Sequence, residues 1–489
     1  MQYLSTRGSA PVSAAQAIIN GICPSGGLYV PEQFPQVPIS ELRQNTGDYL
    51  SIAYKIISPY LDTPKHKLQE MLISAYGRNF DSKLITPLVQ LSERESILEL
   101  WHGPTLAFKD LALQLLPHLM RDSSAQIKEN KQIYILVATS GDTGKAALSG
   151  FQDVNGTKIQ VFYPYGGISR AQWLQMVTQE GSNVAVCGIN GSFDDAQTAI
   201  KKVFGDEAIR NKAEKLGYRL TSANSINFGR LLPQIVYYFF SYLELCKTGC
   251  ITFNEPVNYC VPTGNFGDIL AGYYAMRMGL PVNRLICASN RNNVLTDFFN
   301  SGIYNAKRPF YKNMSCSIDI LISSNLERLL FEVLNRDSIR VSGLMQSLNQ
   351  TGEYSLEGDI QAQLNNSFYA DWCCEEDTLS TINTCFNKYG YLMDPHTAVA
   401  KTVLDQYSKE GDRPIHTILL STANPFKFAT EVLKAFELPD NDDFKNALRL
   451  SALTGNPIPG SISKLMNAPV LHNKVCDIHE IPERALEIL

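Results

Sequence analysis

The sequence lacks the cysteine and histidine patterns that mark metal-binding and disulfide-rich proteins. Its 11 cysteines, spread from Cys23 to Cys476, contain no C-x-x-C pair and form no compact disulfide framework. The seven histidines include no H-E-x-x-H, and no acidic pair stands at ligand spacing. The sequence therefore predicts reduced, mostly buried thiols and no metal site.

Charge of one sign and long apolar runs are also scarce. The 43 basic and 48 acidic residues give a formal net charge of −5, too weak and too mixed for the basic field that binds nucleic acid or an anionic membrane. The longest apolar stretch, 231–245, contains Pro233 and Gln234 and is too short to span a bilayer. The polar start, MQYLSTRGSAP, resembles no signal peptide. We expect a cytoplasmic protein that binds its ligand in a pocket, without nucleic-acid or membrane partners.

What is present is an ordinary globular composition and a regular alternation of patterns. The 489 residues, 44% apolar and 19% charged, exceed one hydrophobic core and predict about two to four domains. From Gln132 onward, β-branched runs alternate with segments of helical period, which is typical of parallel βαβ units. These runs are KIQVFYP, NVAVCGI, NYCVPT, RLICAS and HTILLST. The fold class is therefore predicted to be α/β.

Composition shifts suggest where the parts of the chain begin and end. The turn-rich first hundred residues favour an N-terminal cap over 1–95, followed by a core over 96–435. Within the core we predict a smaller lobe at about 129–225 and, where Ser and Asn increase, a polar insertion at about 300–387. The remainder, 436–489, is predicted to be a peripheral helical appendage.

One lysine stands in an unusually apolar setting. Lys109 follows the run WHGPTLAF and precedes a helical segment rich in leucine. Apolar surroundings disfavour an ammonium and lower its pKa, as a Schiff-base lysine requires at neutral pH. The alternative is a lysine whose stem covers apolar surface and whose ammonium pairs with Asp110.

Two glycine loops follow predicted strands. In TGNFGDILAG (263–272), Gly264 and Gly267 precede a helix start, where converging N–H groups bind anions. The loop has neither the Walker lysine nor the G-x-G-x-x-G spacing, so it favours an organic phosphate; a purely structural turn is the alternative. SGDTG (140–144) has the same geometry with added hydroxyls and suits a carboxylate.

A third segment offers a second anion site. SANSIN (222–227) precedes a predicted helix start near Phe228, and Arg230 follows one turn later. Hydroxyls, amides and a guanidinium at a helix start can bind an anion, although such residues also serve as ordinary helix caps. The polar side chains of this segment are Ser222, Asn224, Ser225 and Asn227.

Two further polar pairs flank predicted strands and helices. Ser421 and Thr422 end a strand at the carboxyl edge of the sheet, where α/β proteins bind ligands. A hydroxyl in this place can equally cap the strand end. Asp394 and His396 precede a helix, and we interpret that histidine as a structural hydrogen-bonding residue.

Together these motifs resemble threonine synthase, a pyridoxal 5'-phosphate enzyme of fold type II related to the tryptophan synthase β subunit. The resemblance covers nearly all of the chain up to about residue 435, and HGPTLAFKD followed by GNFGD is its most specific part. The other matching segments are GICPSGGLYVPEQFP, SGDTGKAA, GGISRAQWLQM, SANSINFGRLLPQIVYY, DPHTAVA and STANPFKF. The resemblance implies a two-lobed parallel α/β core beneath an N-terminal cap.

The resemblance also implies roles for individual residues. Lys109 would bind the aldehyde of the cofactor, and Thr422 would face its ring nitrogen with a neutral hydroxyl. The residues expected along the cofactor phosphate are Gly264, Asn265, Phe266, Gly267 and Asp268. The substrate carboxylate is expected at Ser140, Asp142 and Thr143, and the substrate phosphate near Ser222, Asn224, Ser225, Asn227 and Arg230.

The implied reaction converts O-phospho-L-homoserine and water into L-threonine and phosphate, the last step of threonine biosynthesis. Two segments depart from the expected pattern: Asn424 replaces a histidine, and Phe228–Gly229 replace Trp–Ala. A related phospholyase that releases 2-oxobutyrate, ammonia and phosphate is therefore an alternative. A second alternative is a non-catalytic protein that only binds the cofactor. The presence of every expected loop residue argues against it. The state of assembly is predicted to be a monomer or homodimer.

Overall fold

The βαβ alternation predicted from the sequence is realised along most of the chain. This computed structural model describes residues 1–139, 141–356, 358–409 and 415–488. The first part of the chain contains β1 (Gln2–Ser5), β2 (Val12–Ser13), α1 (Ala14–Asn20), β3 (Tyr29–Pro31), α2 (Ile39–Leu42), α3 (Tyr49–Ile57), α4 (Lys65–Tyr76), β4 (Leu88–Gln90), β5 (Glu95–Glu99), α5 (Lys109–Leu113) and α6 (Leu116–Gln126). The next part contains β6 (Gln132–Ala138), α7 (Asp142–Phe151), β7 (Thr157–Pro164), α8 (Arg170–Val177), β8 (Val184–Asn190), α9 (Phe193–Gly205), α10 (Glu207–Lys215) and β9 (Tyr218–Thr221).

The second half of the chain continues the alternation. It contains α11 (Phe228–Thr248), β10 (Val257–Pro262), α12 (Gly267–Arg277), β11 (Val282–Ser289), α13 (Val294–Ser301), β12 (Ile303–Asn305), α14 (Leu326–Val333), α15 (Ser338–Thr351), β13 (Glu353–Ser355), α16 (Ile360–Ser367), β14 (Phe368–Trp372), α17 (Glu375–Tyr389), α18 (Pro395–Lys409) and β15 (Thr417–Ser421). The last elements are α19 (Ala429–Leu433), α20 (Asp443–Thr454), α21 (Gly460–Ser463), β16 (Lys474–Asp477) and α22 (Ile481–Glu487). Short 3₁₀ turns include Cys316–Ile318 and Pro425–Phe428.

Two sheets form the core, one in each lobe. The larger has six strands in the order β14-β11-β10-β15-β5-β4, and all neighbours are parallel except β4 and β5. The smaller has five parallel strands in the order β16-β8-β7-β6-β9. Parallel sheets bind ligands outside the carboxyl ends of their strands. The predicted two-lobed parallel α/β core is confirmed.

Helix α11 is buried along most of its length. Its residues from Phe228 to Leu245 are all buried, and Gly249 ends the helix in the left-handed conformation. A helix that is apolar on every side belongs in a protein core. In the part of the chain that the structure describes, no helix is both long and apolar enough to cross a membrane.

The N-terminal residues form a small antiparallel sheet, β2-β1-β3, and helices that pack against α11. The Tyr3 and Phe228 ring centroids lie 4.9 Å apart at this contact. The boundary predicted at residue 95 falls inside the large lobe, because β4 (Leu88–Gln90) already pairs with β5. A three-residue edge strand is too short to show the period of two on which strand prediction relies.

The segments predicted as insertion and appendage are both built into the lobes. Strand β14, within 300–387, is the edge strand of the large sheet beside β11. Strand β16, in the C-terminal tail, lies parallel to β8, and Cys476 Sγ lies 3.6 Å from Cys187 Sγ. The tail is therefore not the purely helical, peripheral appendage that the sequence predicted. The prediction of mostly buried thiols is confirmed, since only Cys316 of the eleven is exposed.

Close packing of α7 on α5 positions the two helices whose first residues are Asp142 and Lys109. A Cβ at Gly150 of α7 would lie 2.7 Å from the carbonyl carbon of Leu113 in α5. We expect Gly150→Ala to destabilise the protein by about 1–3 kcal/mol, because the added methyl group would force the backbones of α5 and α7 apart.

The matched control is Gly343→Ala in α15, where the added Cβ would meet no atom within 4 Å. That change should be neutral or stabilise by roughly 0.5–1 kcal/mol. Thermal unfolding of both variants measures the contrast, and equal melting temperatures would contradict the packing described for Gly150.

Candidate active site

The loops that leave β5 and β15 run side by side at the carboxyl edge of the large sheet. Leu100 N donates to Ser421 O at 2.9 Å, and Phe108 N donates to Thr422 O at 2.9 Å. Because β5 and β15 are parallel neighbours, both loops leave the sheet at the same edge. This pairing places Lys109, at the start of α5, beside the loop that carries Thr422.

Asp110 does not pair with Lys109, so that alternative for the lysine is wrong. Its carboxylate instead accepts two hydrogen bonds from Thr105, from the backbone N–H at 2.8 Å and from Oγ1 at 2.6 Å. Burial raises the pKa of Asp110 to about 6. Asp110 thus holds the loop that leads into Lys109.

The Lys109 amine lies in a largely buried polar pocket, with its side chain 13% exposed. Its Nζ lies 3.4 Å from Ser317 Oγ and 3.8 Å from Asp142 Oδ2. Burial lowers the pKa of Lys109, Asp142 opposes that shift, and the nearby cations Lys427 and Arg230 add to it. The setting shifts Lys109 towards the neutral amine, which is the direction that apolar surroundings impose.

Asp142 differs from its predicted role at the substrate carboxylate. Its Oδ1 lies 2.9 Å from Lys427 Nζ, which also donates to Thr105 O at 2.7 Å. Burial opposes ionisation of Asp142, but Lys427 and Lys109 outweigh it and hold the pKa of that carboxyl well below its usual range. An ionised carboxylate cannot donate to another carboxylate, so Asp142 serves the lysines instead.

Two described residues of the SGDTG loop, Gly141 and Thr143, lie at the predicted carboxylate site. Thr139 Oγ1 accepts from Gly141 N and from Gly144 N, both at 3.0 Å, and so shapes the turn at the start of α7. Thr143 is half-buried, and its hydroxyl has no partner among the described residues. Ser140, predicted to bind the substrate carboxylate, lies outside the described residues.

Ser317 reaches the pocket from the segment predicted as an insertion. Its N–H donates to His396 Nε2 at 3.0 Å, and the ring contacts Asp394 Oδ2 through Nδ1 at 2.6 Å. An Nε2 that accepts a hydrogen bond carries no proton, so we assign the ring proton to Nδ1, which donates to Asp394. His396 therefore has the structural role predicted for it and holds the backbone of Ser317.

The loop of residues 264–267 presents free backbone donors at the start of α12. Its carbonyl groups are already engaged: Ser323 Oγ donates to Gly264 O at 2.8 Å, and Asn325 Nδ2 donates to Asn265 O at 3.0 Å. The N–H groups of 264–267 have no hydrogen-bond partner among the described residues. Phe266 adopts φ 62°, and a Cβ at Gly264 would lie 3.1 Å from Ser317 O. Unpaired donors at a helix start suit a phosphate group.

Asp268, predicted with this loop, is directed towards α11. Its Oδ1 accepts from Tyr237 Oη and, at 3.1 Å, from Tyr238 Oη, while Oδ2 is buried without a partner. Burial raises the pKa of Asp268 to about 6. The carboxylate is therefore held by the helix behind the loop, where it does not compete with a bound anion.

The SANSIN segment divides into structural and available residues. Asn227 is a helix cap: its Oδ1 accepts from Gly229 N at 2.9 Å, and its Nδ2 donates to Ile18 O at 2.8 Å. Ser222 Oγ accepts from Asn224 N. The side chains of Asn224 and Ser225 are half-buried and have no partner among the described residues.

Arg230 is a buried cation with no carboxylate partner among the residues that the structure describes. Its Nη1 donates to Ala223 O at 2.8 Å, and its Nε is buried with no hydrogen-bond partner. Burial lowers the pKa of Arg230 to about 10. A buried donor without a partner is costly, so Arg230 supports the predicted second anion site.

The two hydroxyls at the end of β15 have different surroundings. Ser421 Oγ accepts from Trp101 Nε1 at 3.0 Å and contacts Thr397 Oγ1 at 3.1 Å. Thr422 Oγ1 has no partner among the described residues, which leaves it available to a ligand. Asn424, the departure from the expected histidine, caps the turn Pro425–Phe428 through Phe426 N at 3.0 Å.

Sequence reasoning missed Lys427 and Ser317. Lys427 lies in STANPFKF, five residues beyond Thr422, and a lysine so close to a ligand-binding sheet edge was a usable signal. Ser317 has no such signal, because only the tertiary path of the 313–325 segment brings it to the pocket. Among the described residues, no three His, Cys, Asp or Glu side chains are grouped as a metal site would require.

Comparison with known proteins gives concordant results. Residues 2–76 match the family model described as "Threonine synthase N terminus". The chain is 42% identical to "Threonine synthase-like 1" of Homo sapiens over 87% of this chain and 58% of that protein, so it spans about six tenths of that relative's length. It is 38% identical to the threonine synthase of Pseudomonas aeruginosa over 89% of this chain and 90% of that one. A PLP-bound threonine synthase from Brucella melitensis superposes with a TM-score of 0.89 at 36% identity, covering 99% and 98% of the two chains.

The placement of Asp268 predicts a pH-dependent effect of Asp268→Asn. A folded-state pKa raised to about 6 means that this carboxyl contributes stability only while protonated, and that contribution is lost as pH rises through the pKa. The variant should therefore gain stability relative to the parent as pH rises from 4.5 to 7.5, by about 1–3 kcal/mol.

Melting temperatures of parent and variant at several pH values measure this gain. Asp62→Asn, which alters an exposed carboxyl paired with the N-terminal amine, is the control and should show no such trend. A constant difference for Asp268→Asn across the range would rule out the raised pKa.

Proposed function

The chain belongs to the threonine synthase family, and from this premise we propose that it converts O-phospho-L-homoserine and water into L-threonine and phosphate. The predicted fold type II agrees with the solved threonine synthase structures that it matches. The observation that carries the proposal is the largely buried Lys109 amine in a site where backbone N–H groups of 264–267 and Arg230 Nε have no partner among the described residues. A phosphorylated amino acid and a phosphorylated cofactor require donors of this kind.

The family is dependent on pyridoxal 5'-phosphate, and the residues present fit that group. Lys109 would hold its aldehyde, the N–H groups of 264–267 its phosphate, and the unpartnered Thr422 hydroxyl its ring nitrogen. A hydroxyl, unlike a carboxylate, does not hold that nitrogen protonated. When bound, the cofactor supplies a carbonyl that condenses with amines and a conjugated ring that stabilises negative charge on the adjoining carbon.

The substrate would be held at its two charged ends. Its carboxylate fits the start of α7, where Thr143 offers a free hydroxyl and the helix dipole favours an anion. Its phosphate fits Arg230 Nε and the side chains of Asn224 and Ser225, which have no hydrogen-bond partner among the described residues. The same donors would stabilise the charge that develops on the leaving phosphate, and burial strengthens the interaction with Arg230.

Lys109 is the proposed group for proton transfer. Its amine is a basic group whose pKa is lowered by burial, which increases the share of the neutral form that can accept a proton, and Ser317 Oγ lies 3.4 Å from Nζ. Asp142, 3.8 Å from Nζ, stabilises the ammonium after each proton is accepted. We propose that Lys109 is the proton carrier at Cα and Cβ of the substrate.

Product identification tests this function. Incubation of the cofactor-loaded protein with O-phospho-L-homoserine should release phosphate and threonine in equal amounts, measured by a phosphate assay and amino-acid analysis. Release of phosphate with 2-oxobutyrate and ammonia would instead identify a phospholyase, the alternative raised by Asn424 and Phe228–Gly229. Binding without either set of products would identify a non-catalytic protein.

Lys109→Ala tests the lysine separately. The variant should lose the near-visible absorbance of the cofactor-loaded protein, because no amine remains to hold the aldehyde, and product formation should fall by at least about a thousandfold. Lys212→Ala, in the exposed face of α10, is the matched control and should keep both. Absorbance and turnover that survive in Lys109→Ala would show that the lysine is misassigned.

The cytoplasmic location and the monomeric or homodimeric state stay predictions from the sequence.

A further inference from the structure

A second buried lysine lies next to the carboxylate partner of Lys109, and the proposed chemistry does not use it. The Lys427 side chain is 1% exposed, and its Nζ lies 2.9 Å from Asp142 Oδ1. Burial of an ammonium costs several kcal/mol unless it is paired and hydrogen-bonded. Two lysines and one carboxylate therefore share one buried site.

The two lysines contact Asp142 unequally. Lys427 Nζ makes the close ion pair with Oδ1, whereas Lys109 Nζ lies 3.8 Å from Oδ2. Asp142 therefore supports an ammonium at Lys109 only from the longer distance, because its close ion pair is with Lys427.

The other groups facing Lys109 do not reverse this balance. Cys316 favours the ammonium, Arg230 disfavours it, and Lys427 disfavours it more strongly than Arg230 does. The remaining neighbours, Ser317 Oγ and the Phe108 ring, are uncharged. Apart from burial, the protonation of the Lys109 amine therefore depends mainly on how the Asp142 carboxylate is shared between Lys109 and Lys427.

We propose that Lys427 is a positioning residue that holds the Asp142 carboxylate and thereby keeps the Lys109 amine free to react. The proposal rests on the proposed function only in taking Lys109 as the reacting group. Without Lys427, a small rotation of Asp142 would close the 3.8 Å gap and bind Lys109 as an ammonium.

The fold holds Lys427 rigidly enough for this role. Its Nζ donates to Thr105 O at 2.7 Å, and Thr105 is fixed in turn by Asp110. Asn424 caps the turn Pro425–Phe428 that carries Lys427. Both lysines are thus mounted on the paired loops after β5 and β15, while Asp142 comes from the other lobe.

The test measures the reactivity of Lys109 directly, without substrate. The full-length chain, freed of cofactor, is methylated with formaldehyde and cyanoborohydride over a pH series, and labelling at Lys109 is followed by peptide mass spectrometry. The proteins compared are the parent, Lys427→Met, Asp142→Asn and the double variant. Lys434→Met removes an exposed lysine paired with Glu431 and is the matched control.

Lys427→Met should raise the pH of half-maximal labelling by about one unit or more, because Asp142 then pairs with Lys109 alone. In the Asp142→Asn background, Lys427→Met should shift the pH of half-maximal labelling by at most about a third as much, because no carboxylate remains for Lys427 to hold. Lys427→Arg, which keeps the ion pair, should stay near the parent, and Lys434→Met should match it.

An unchanged midpoint in folded Lys427→Met would overturn the proposal. So would equal shifts in both backgrounds, which would mean that Lys427 acts on Lys109 through space and not through Asp142. If Lys427→Met does not fold, Asp142→Asn is compared with the double variant. A difference of about one pH unit between their labelling midpoints would also overturn the proposal, because Lys427 would then act without Asp142. The labelling is independent of turnover, so a failure to form threonine would leave this result readable.

Discussion

One buried carboxylate organises the charges of this protein. Asp142 begins a helix of the small lobe, whereas Lys109 and Lys427, which it contacts, are carried by loops of the large lobe. The same ion cluster therefore links the two lobes and surrounds the Lys109 amine with charge. Removing one member of a buried ion cluster destabilises a protein by more than the intact cluster stabilises it, because the remaining charges are left buried and unpaired.

A buried guanidinium extends this order to the rest of the site. Arg328 donates to Ile226 O at 2.6 Å, to Tyr29 O at 2.9 Å and to Asn325 Oδ1. It thereby joins the SANSIN segment, the N-terminal residues and the segment that binds the carbonyls of the 264–267 loop. The two regions offered to anions are consequently fixed relative to each other.

The donors that could bind anions are local and do not follow from the charge of the chain. The formal net charge is −5, yet the site presents unpaired N–H groups at a helix start and a buried arginine without a carboxylate. Short-range donors in a buried setting outweigh distant surface charges, which solvent screens. The mild acidity of the whole protein is therefore compatible with a substrate and a cofactor that both carry phosphate.

The sequence by itself determined the α/β class and singled out Lys109 and the glycine loops as candidates, because each depends on local signals: strand period, glycine at strand-to-helix turns and a lysine in apolar surroundings. It could not determine that Asp142 pairs with Lys427, that Asp268 and Asn227 are held by α11 and the N-terminal residues, or that Ser317 enters the pocket. It also misplaced β14 and β16, which are short edge strands without a readable period. Those features were decided only by the tertiary structure, since they arise where segments far apart in the chain meet at the carboxyl edges of two sheets.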